Sequence, residues 1–431
     1  MDREEIKKTL CPIPWNHSAI MQNGEYGICC QCIYNAAGRL VTENKPHNIV
    51  DTDIDDIRNH PTYVELRRSM LAGEKHPMCK LCWDEEEVGR HSKRVSQSKI
   101  YADTINRIID YEDKSGLIDV NHFPVNYLDL RLGNLCNLAC RMCGPGDSSL
   151  WLDYWPSGQF FIGGRPGIYK INKVGASNKI EGNDFQYYKT NEFESFLFKT
   201  LPTVNRIYFT GGEPLINKKH YEILDYCIEK DYAKNITLEY NTNATTLNKN
   251  LLEQWNHFKE INICFSMDAM GPLANYIRYP SDWEVVKNNL LLLDNYDIPQ
   301  ILGTTNCTVS ILNMMHLPEF YTWFYNQNFK KFRRHLGWNR AVFPRFLNVR
   351  ILPPETKQMI TNYYNKIINE SDIPNIREHI YPIVDYMNQE DQQEFLYESA
   401  SYIHRQDNLR GQNLRDHLPW LADVYNSRFK K

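Results

Sequence analysis

Three cysteines close together are the feature of this chain with the clearest chemical potential. Cys136, Cys140 and Cys143 follow the spacing C-x3-C-x2-C. Three thiolates this close can bind three irons of a cubane cluster, whereas a cluster held entirely by protein takes four cysteines. The fourth iron would keep an open position, and open positions are where bound metals do chemistry. Zinc binding and ordinary packing are alternatives, so the surrounding sequence must decide.

The bulk composition narrows the classes of protein. The chain has 431 residues and a formal net charge of −4 at pH 7, which argues against a general nucleic-acid binder. No run of about 18 apolar residues predicts a membrane helix, and the charged N-terminus lacks the apolar core of a signal peptide. We therefore expect a cytoplasmic protein whose clustered cysteines bind metal rather than form disulfides. We expect the isolated Cys227, Cys264 and Cys307 to be buried packing residues.

Short β-rich runs alternate with helical patterns from about residue 120 onward. The predicted strands cover 127–132, 206–209, 236–240, 261–266 and 303–309, and the predicted helices cover 218–229, 248–258, 283–293 and 314–325. This alternation is typical of parallel β/α units. Closed or partly closed, such units form a barrel whose chemistry lies at the C-terminal ends of the strands.

Three further polar motifs also follow predicted strands. The sequence GGEP at 211–214 combines two glycines, which let backbone approach a ligand closely, with the carboxylate of Glu213. Asn243 belongs to a cluster of short amide and hydroxyl side chains. Ser266 and Arg278, twelve residues apart, could grip a carboxylate together. An ordinary turn, a helix cap and a surface charge are the respective alternatives.

Taken together, these motifs predict one ligand site at the strand ends. It would offer an open iron position, an acceptor at Glu213 and a cation at Arg278. A ligand with one amino group and one carboxylate fits, because it could chelate the free iron through both groups and meet these side chains further out.

The conjunction of motifs resembles the radical S-adenosylmethionine (SAM) superfamily over about residues 125–310. The C-x3-C-x2-C motif follows the first predicted strand, GGEP the second and S-x-D-A the fourth. The resemblance implies an α/β fold with a partial (β/α)6 TIM-like barrel, and a 4Fe-4S cluster held by the three cysteines with SAM at the fourth iron. It also implies reductive cleavage of SAM to a 5′-deoxyadenosyl radical that abstracts hydrogen from a substrate.

The resemblance assigns roles to further residues. Met142 takes a position, usually aromatic, that covers the cluster and contacts adenine through its backbone. Ser266 and Arg278 match a pair that holds SAM in sulfatase-maturing relatives. The residues implied to contact the cofactor are Met142, Gly211, Gly212, Glu213, Asn243, Ser266, Arg278 and Val309.

A second group of cysteines lies near the N-terminus. Cys11 and Cys29 are bridged by the pattern C-x12-G-x4-C, and Cys79 and Cys82 form a C-x2-C pair. Four such thiolates can hold zinc or an iron–sulfur cluster, and spacing alone leaves both open. Cys30 could replace its neighbour Cys29, and Cys32 is the next candidate.

This N-terminal region resembles the twitch domain, the short form of the SPASM auxiliary-cluster domain. A CPxPW opening at 11–15 and the segment TVSILN at 308–313 are similar to twitch domain-containing radical SAM proteins, so the resemblance spans nearly the whole chain. It favours Cys11, Cys29, Cys79 and Cys82 as ligands of a second, auxiliary 4Fe-4S cluster over structural zinc. We expect a Cys-rich domain at 1–100, the barrel at 120–345 with an insertion at 151–200, and a helical region at 346–431.

The predicted function is hydrogen abstraction from a peptide or protein side chain, because relatives with auxiliary clusters often modify peptides. A small molecule such as a sugar, nucleotide or cofactor precursor is the alternative substrate. A non-catalytic, zinc-stabilised binding module is the alternative from another class. We expect a low-potential electron donor such as flavodoxin or ferredoxin, and neither membrane nor nucleic acid as a partner. The insertion could cover the site or be an ordinary surface segment.

Overall fold

The computed structural model describes residues 3–32, 40–87, 89, 91–111, 113–155, 157–162, 165–174 and 177–429. The chain divides into two compact units that alternate along the sequence. The first comprises Met1–Cys136, Pro145–Tyr240 and Glu253–Ile261, and the second comprises Asn137–Gly144, Asn241–Leu252 and Asn262–Lys431. Within the described ranges, no helix has both the length and the apolar character needed to cross a membrane.

The first unit mixes strands and helices. Its strands are β1 (His17–Ile20), β2 (Tyr26–Gly27), β3 (Val41–Thr42), β4 (Lys45–Pro46), β5 (Tyr127–Arg131), β6 (Ser157–Ile162), β7 (Arg165–Val174), β8 (Ser177–Ile180), β9 (Arg206–Thr210) and β10 (Thr237–Thr242). Its helices are α1 (Arg3–Lys7), α2 (Ile13–Asn16), α3 (Ile54–Ile57), α4 (Pro61–Leu71), α5 (Lys80–Glu87), α6 (Lys93–Ile100), α7 (Ala102–Asp110), α8 (Asn191–Thr200) and α9 (Lys218–Glu229). Strand β10 and helix α10 (Lys249–Trp255) contain residues of both units.

The main sheet of the first unit runs in the order β2-β1-β5-β9-β10. Strands β1, β5, β9 and β10 are parallel, and β2 pairs with β1 in the antiparallel direction. The register places Ala19, Asp129, Tyr208 and Glu239 in one row across the four parallel strands. Parallel strands of this kind confirm the predicted α/β class.

The two faces of this sheet differ in chemistry, because successive side chains of a strand point to opposite faces. One face carries apolar side chains such as Leu128, Ile207 and Leu238, which are fully buried. Helices α8 and α9 contribute buried apolar side chains to the core of the same unit, among them Phe193 and Leu224. The opposite face is polar and carries the row described above.

Strand β1 is the clearest departure from the sequence-based expectation. No strand was predicted within the Cys-rich region 1–100, whereas His17–Ile20 extends the sheet beside the first predicted barrel strand. The pattern HSAI has no polar–apolar alternation because all four residues are buried. A short strand buried on both faces has no periodic signal for sequence analysis to detect.

The expected insertion at 151–200 forms an antiparallel sheet in the order β6-β7-β8, followed by α8. Phe160, Ile162 and Ile180 form its buried apolar cluster, against which Trp155 and Phe185 pack. Gly163 and Gly164, which belong to this insertion, lie outside the described residues.

The second unit contains the later strands and the C-terminal helices. Its strands are β11 (Glu260–Ser266), whose first two residues belong to the first unit, β12 (Ile301–Val309) and β13 (Gly337–Arg340). They are ordered β11-β12-β13, with β13 parallel to β12. Its helices are α11 (Gly271–Ile277), α12 (Trp283–Asn295), α13 (Leu317–Asn326), α14 (Pro354–Glu370), α15 (Ile376–Asn388), α16 (Leu396–Arg410), α17 (Leu414–His417) and α18 (Pro419–Arg428). Of the three isolated cysteines, Cys227 and Cys307 are buried as expected, whereas Cys264 is half-buried.

Candidate active site

The three-cysteine loop follows β5 directly and is braced by backbone contacts within the first unit. The Cys136 N–H donates to Ser149 Oγ at 3.3 Å. Ser149 N–H in turn donates to the Asn134 carbonyl at 2.7 Å, and Asn134 Nδ2 donates to the Pro145 carbonyl at 2.9 Å. The residues before and after the cysteines are thereby tied together, which fixes where the loop leaves and rejoins the unit.

The GGEP segment lies against the start of the same loop. The Glu213 N–H donates to the Leu135 carbonyl at 2.7 Å, and the Gly212 N–H donates to the Gly133 carbonyl at 3.3 Å. A Cβ atom on Gly212 would lie 2.1 Å from the Leu135 oxygen. Gly211 has a φ of +112°, a conformation that side chains disfavour. Both glycines are therefore required by close backbone approach, here to the cysteine loop itself.

Glu213 is almost completely buried and begins a short helical turn. Its Oε1 accepts from the Leu215 N–H at 3.1 Å. Asn217, which sequence analysis did not select, donates from Nδ2 to the Leu132 carbonyl at 2.8 Å and caps α9 through Lys219 N–H. Its position directly before a predicted helix was the available signal, since Asn is a favoured N-cap residue.

Asn243 contacts the cysteine loop within the second unit. Its Nδ2 donates to Asn137 Oδ1 at 2.9 Å, and Asn137 Nδ2 donates to Thr245 Oγ1 at 2.9 Å. Asn137 follows Cys136 directly, so this amide pair orients the loop between its first and second cysteines.

Arg278 forms a buried ion pair with an aspartate that sequence analysis left without a role. Its Nε lies 2.7 Å from Asp268 Oδ2, and Asp268 Oδ1 accepts from the Thr308 N–H at 2.7 Å. Arg278 Nη1 is 3.9 Å from Cys140 Sγ. Burial disfavours the charged guanidinium, but the carboxylate of Asp268 outweighs it and raises the pKa of Arg278. Asp268 lies in the S-x-D-A motif, so its acidic type was the signal.

The remaining predicted cofactor contacts of the second unit stand at strand ends or in the loop. Ser266 is the last residue of β11 and is half-buried, and Val309 is the last residue of β12 and is buried. Met142 is half-buried between the second and third cysteines. Burial raises the pKa of the Cys140 thiol, and the positive charge of Arg278 partly offsets that rise.

Helix α16 holds the cysteine loop through contacts that sequence analysis did not anticipate. Arg141, fully buried between Cys140 and Cys143, donates from Nη2 to Asp407 Oδ1 at 2.6 Å. Tyr402 OH donates to the Arg141 carbonyl at 2.8 Å. Arg410 Nη2 donates to the Ala139 carbonyl at 2.8 Å.

Tyr276 of α11 completes the surroundings of this arginine. Its carbonyl accepts from Arg141 Nε at 2.9 Å, and its hydroxyl donates to Asp407 Oδ1 at 2.9 Å. The Arg141 guanidinium carbon lies 3.7 Å from the centroid of the Tyr276 ring. The loop therefore depends on a charge pair whose members are 266 positions apart.

The N-terminal thiols form two groups with different surroundings. Cys29 Sγ lies 3.4 Å from Cys32 Sγ, and this contact lowers the pKa of Cys29 to about 7. Hydrogen bonding with Cys29 and Cys79 raises the pKa of Cys32. Burial raises the pKa of Cys11, and the neighbouring Cys29, Cys79 and Cys82 add to the rise.

Cys30 is oriented differently from its neighbour. Burial raises the pKa of its thiol; Lys93 opposes this rise, and Cys29 and Asp129 add to it. Cys29 has a thiol contact, to Cys32, whereas the charges that act on Cys30 include those of Lys93 and Asp129.

Two protein-family models match the parts of the chain that contain these features. The model of the radical SAM superfamily matches residues 130–324, the range that contains the cysteine loop, GGEP and the Asp268–Arg278 pair. Residues 130–324 are thus similar to the radical SAM superfamily. An iron-sulfur cluster-binding domain of the SPASM type matches residues 11–83, which contain the N-terminal thiols. The two matches imply a 4Fe-4S cluster with SAM and auxiliary iron–sulfur binding.

Individual proteins match this chain at low sequence identity. An uncharacterised protein of Methanocaldococcus jannaschii is 28% identical over 258 residues, covering 57% of this chain and 71% of its own. The solved structure of anSMEcpe with bound AdoMet is 19% identical, with a TM-score of 0.36, and covers 56% of this chain and 57% of its own. Streptococcus suis SuiB bound to precursor peptide SuiA is 11% identical, with a TM-score of 0.36, and covers 75% and 66%. The chain thus spans less than two thirds of either solved structure.

We expect Gly212→Ala to displace the cysteine loop, because the added Cβ would meet a backbone carbonyl at 2.1 Å that cannot rotate away. Overpacking of this kind typically costs about 1–3 kcal/mol. The urea concentration at the midpoint of anaerobic unfolding should fall, and so should the iron content after reconstitution. Gly27→Ala is the matched control, since its nearest neighbour is the flexible Met21 Sδ at 3.1 Å. Equal behaviour of the two variants would contradict the close approach.

Asp407→Asn should leave Arg141 as an uncompensated buried charge. Breaking one partner of a buried pair costs about 3–5 kcal/mol, which should lower the urea midpoint of the anaerobic protein. Asp423→Asn is the control, because its pair with Arg415 is exposed and such pairs contribute about 1 kcal/mol or less. A midpoint for Asp407→Asn that matches this control would show that α16 does not anchor the loop.

Proposed function

We propose that this radical SAM enzyme cleaves SAM reductively at a cluster held by Cys136, Cys140 and Cys143 and abstracts hydrogen from a substrate. The observation that carries the proposal is the cysteine loop held against the GGEP backbone, with three thiols and no fourth cysteine in the loop. When bound, the cluster and SAM supply a low-potential electron and a reactive carbon-centred radical.

The residues around the loop fit that cofactor. In this proposal the three thiolates hold the cluster, and the segment Gly211–Glu213 meets the SAM amino group. Arg278 and Ser266 would hold the SAM carboxylate, with Asp268 fixing the guanidinium beside Cys140. Asn243 would act mainly by orienting Asn137, and Met142 and Val309 would complete the contacts.

The N-terminal thiols are proposed to hold an auxiliary 4Fe-4S cluster rather than zinc. We assign Cys11, Cys29, Cys79 and Cys82 as its ligands, because the charges of the other three act on Cys11. Cys32 contacts Cys29 at 3.4 Å and is the competing ligand. We assign Cys30 no ligand role, because the charges of Lys93 and Asp129 act on it.

We propose a peptide or protein side chain as the substrate, as the SPASM-type match favours. A small molecule remains the second candidate, favoured by the polar, partly open sheet face described below. Electrons would come from a flavodoxin or ferredoxin in the cytoplasm. The three parts at 1–100, 120–345 and 346–431 would then supply the auxiliary cluster, the radical chemistry and the outer support of the cluster loop.

The decisive experiment is anaerobic reconstitution followed by iron, sulfide and nucleoside measurement. Two cubane clusters predict about eight irons per chain, and dithionite with SAM should yield 5′-deoxyadenosine. The variant with Cys136, Cys140 and Cys143 all replaced by alanine should lose about half of the iron and all of the nucleoside. A colourless wild-type protein that contains only zinc would instead support the non-catalytic binding module.

The ligand assignment of the N-terminal thiols can be tested in the same assay. Cys29→Ala should lose about half of the iron, since one cubane of two would not form, whereas the adjacent variant Cys30→Ala should keep it. Cys32→Ala should also keep its iron; iron loss there, with iron retained in Cys29→Ala, would replace Cys29 by Cys32. Iron loss in Cys30→Ala but not in Cys29→Ala would reverse our assignment.

A further inference from the structure

The polar face of the first unit's sheet carries a cluster of charged and aromatic side chains below the level of the cysteine loop. Tyr127 and Asp129 of β5 lie on it, with Tyr208 of β9 and Glu239 of β10 in register beside Asp129. Tyr208 and Glu239 are only half-buried although they stand in the interior of a sheet. Partial exposure at such positions means that this face borders open space rather than a packed core.

Helix α6 of the N-terminal region supplies Lys93 to this face. Lys93 is half-buried, and its Nζ donates to Tyr127 OH at 3.2 Å. The same Nζ lies 5.4 Å from the Tyr127 ring centroid and 5.7 Å from that of Tyr208. Lys93 thus has one hydrogen bond to the Tyr127 hydroxyl and a cation–π contact with the Tyr208 ring, which leaves N–H donors of the ammonium for another acceptor.

The carboxylates near Lys93 pair with arginines rather than with the lysine. Asp129 Oδ1 lies 3.4 Å from Arg131 Nε, and Glu239 forms an ion pair with Arg206. Within the described part of the chain, no carboxylate oxygen comes within 4 Å of Lys93 Nζ. Burial opposes the charge of Lys93, whereas the Cys30 thiol, Tyr127 and Asp129 raise its pKa. Lys93 therefore has ionisable neighbours but no carboxylate at ion-pair distance.

A buried acceptor on the same face gives a second, independent sign of a ligand. Asp129 is 1% exposed, and its Oδ2 has no hydrogen-bond partner among the described residues. A buried carboxylate oxygen without a donor is costly. A bound N–H or O–H group would satisfy it.

The loop after the cysteines adds one more charged group at the far end of this face. Asp147 accepts from Gln22 Nε2 at 2.5 Å. Burial raises the pKa of Asp147 to about 6, against the opposing effect of Arg131. Among the described residues Asp147 forms no ion pair with Lys93, so it does not neutralise the lysine directly.

We propose that Lys93 is a substrate-binding residue that receives a carboxylate of the substrate, with Asp129 accepting an adjacent N–H. The inference rests on the proposed function for the identity of the site and adds the chemical class of its substrate: a carboxylate carried next to an amide or amine. Two sources have this chemistry, the side chain of an acidic residue and the α-carboxylate of a chain end or free amino acid.

Three small probes distinguish these sources. N-acetylglutamate α-amide has only the side-chain carboxylate, N-acetylglutamine has only the α-carboxylate, and N-acetylglutamine amide has neither. Binding to the anaerobically reconstituted full-length protein is measured by saturation-transfer NMR titration. We expect one acid to bind about tenfold or more tightly than the neutral amide, as for a charged hydrogen bond, and the preferred acid names the source.

Variants of two lysines test whether the preference for acid over amide depends on Lys93. Lys93→Met should abolish the preference for acid over amide, and Lys93→Arg should retain it. Lys219→Met is the matched control, because Lys219 is also half-buried but pairs with Glu194 and Glu222, and the preference should survive there. Equal binding of the three probes to wild type, or an acid preference that persists in Lys93→Met, would overturn the proposal. If Lys93→Met fails to fold, the wild-type comparison and Lys93→Arg still decide.

Failure of the two proposals can be told apart. Wild-type formation of 5′-deoxyadenosine tests the radical chemistry and needs no probe, whereas acid binding needs no SAM. Nucleoside production without acid preference would refute Lys93 alone, and acid preference without nucleoside would refute the proposed function alone.

Discussion

The approach of one backbone segment to another sets the geometry on which the candidate site depends. The Gly212 position leaves no room for a side chain beside the Leu135 carbonyl, and hydrogen bonds from 212 and 213 to residues 133 and 135 close the contact. Because these are main-chain atoms, the spacing cannot be adjusted by a rotamer change. The entry of the three-cysteine loop is therefore fixed by the strand β9 and its following turn, not by the cysteines.

The second constraint is electrostatic. Arg141 stands between two cysteines and is fully buried, so its charge must be matched inside the protein. Asp407 supplies that match, while Tyr402 and Arg410 of the same helix hold neighbouring carbonyl groups of the loop. The C-terminal helices thus have a definite task within the second unit, which the sequence description of a helical region did not suggest.

Sequence reasoning succeeded where signals were local. The strands and helices of the barrel were predicted from the alternation of β-rich and helical sequence patterns. The resemblance to the superfamily rests on C-x3-C-x2-C and GGEP, two motifs made of a few adjacent residues. It could not find partners that meet only in the folded chain. Asp407 is an ordinary acid in a helix until Arg141 is known to lie against it, and β1 has no pattern because both of its faces are buried.

The same locality explains the ambiguity at the N-terminal thiols. Cys29, Cys30 and Cys32 are equivalent by type and nearly so by position, and only the path of the backbone separates them. In the folded chain Cys29 meets Cys32 while Cys30 meets the surroundings of Lys93. Adjacent residues with different neighbours cannot be ranked by spacing.

The pairing of β1 with β5 also bears on how the chain can be shortened. Strand β5 has hydrogen-bonding groups on both sides, and β1 and β9 occupy them in the first unit. Removing the first hundred residues would leave β5 with a bare flank, and an exposed parallel edge rich in buried apolar residues invites association with other chains. The N-terminal region therefore covers an edge of the sheet that could otherwise pair with other chains. A variant without this region should be difficult to keep monomeric, whether or not it binds metal.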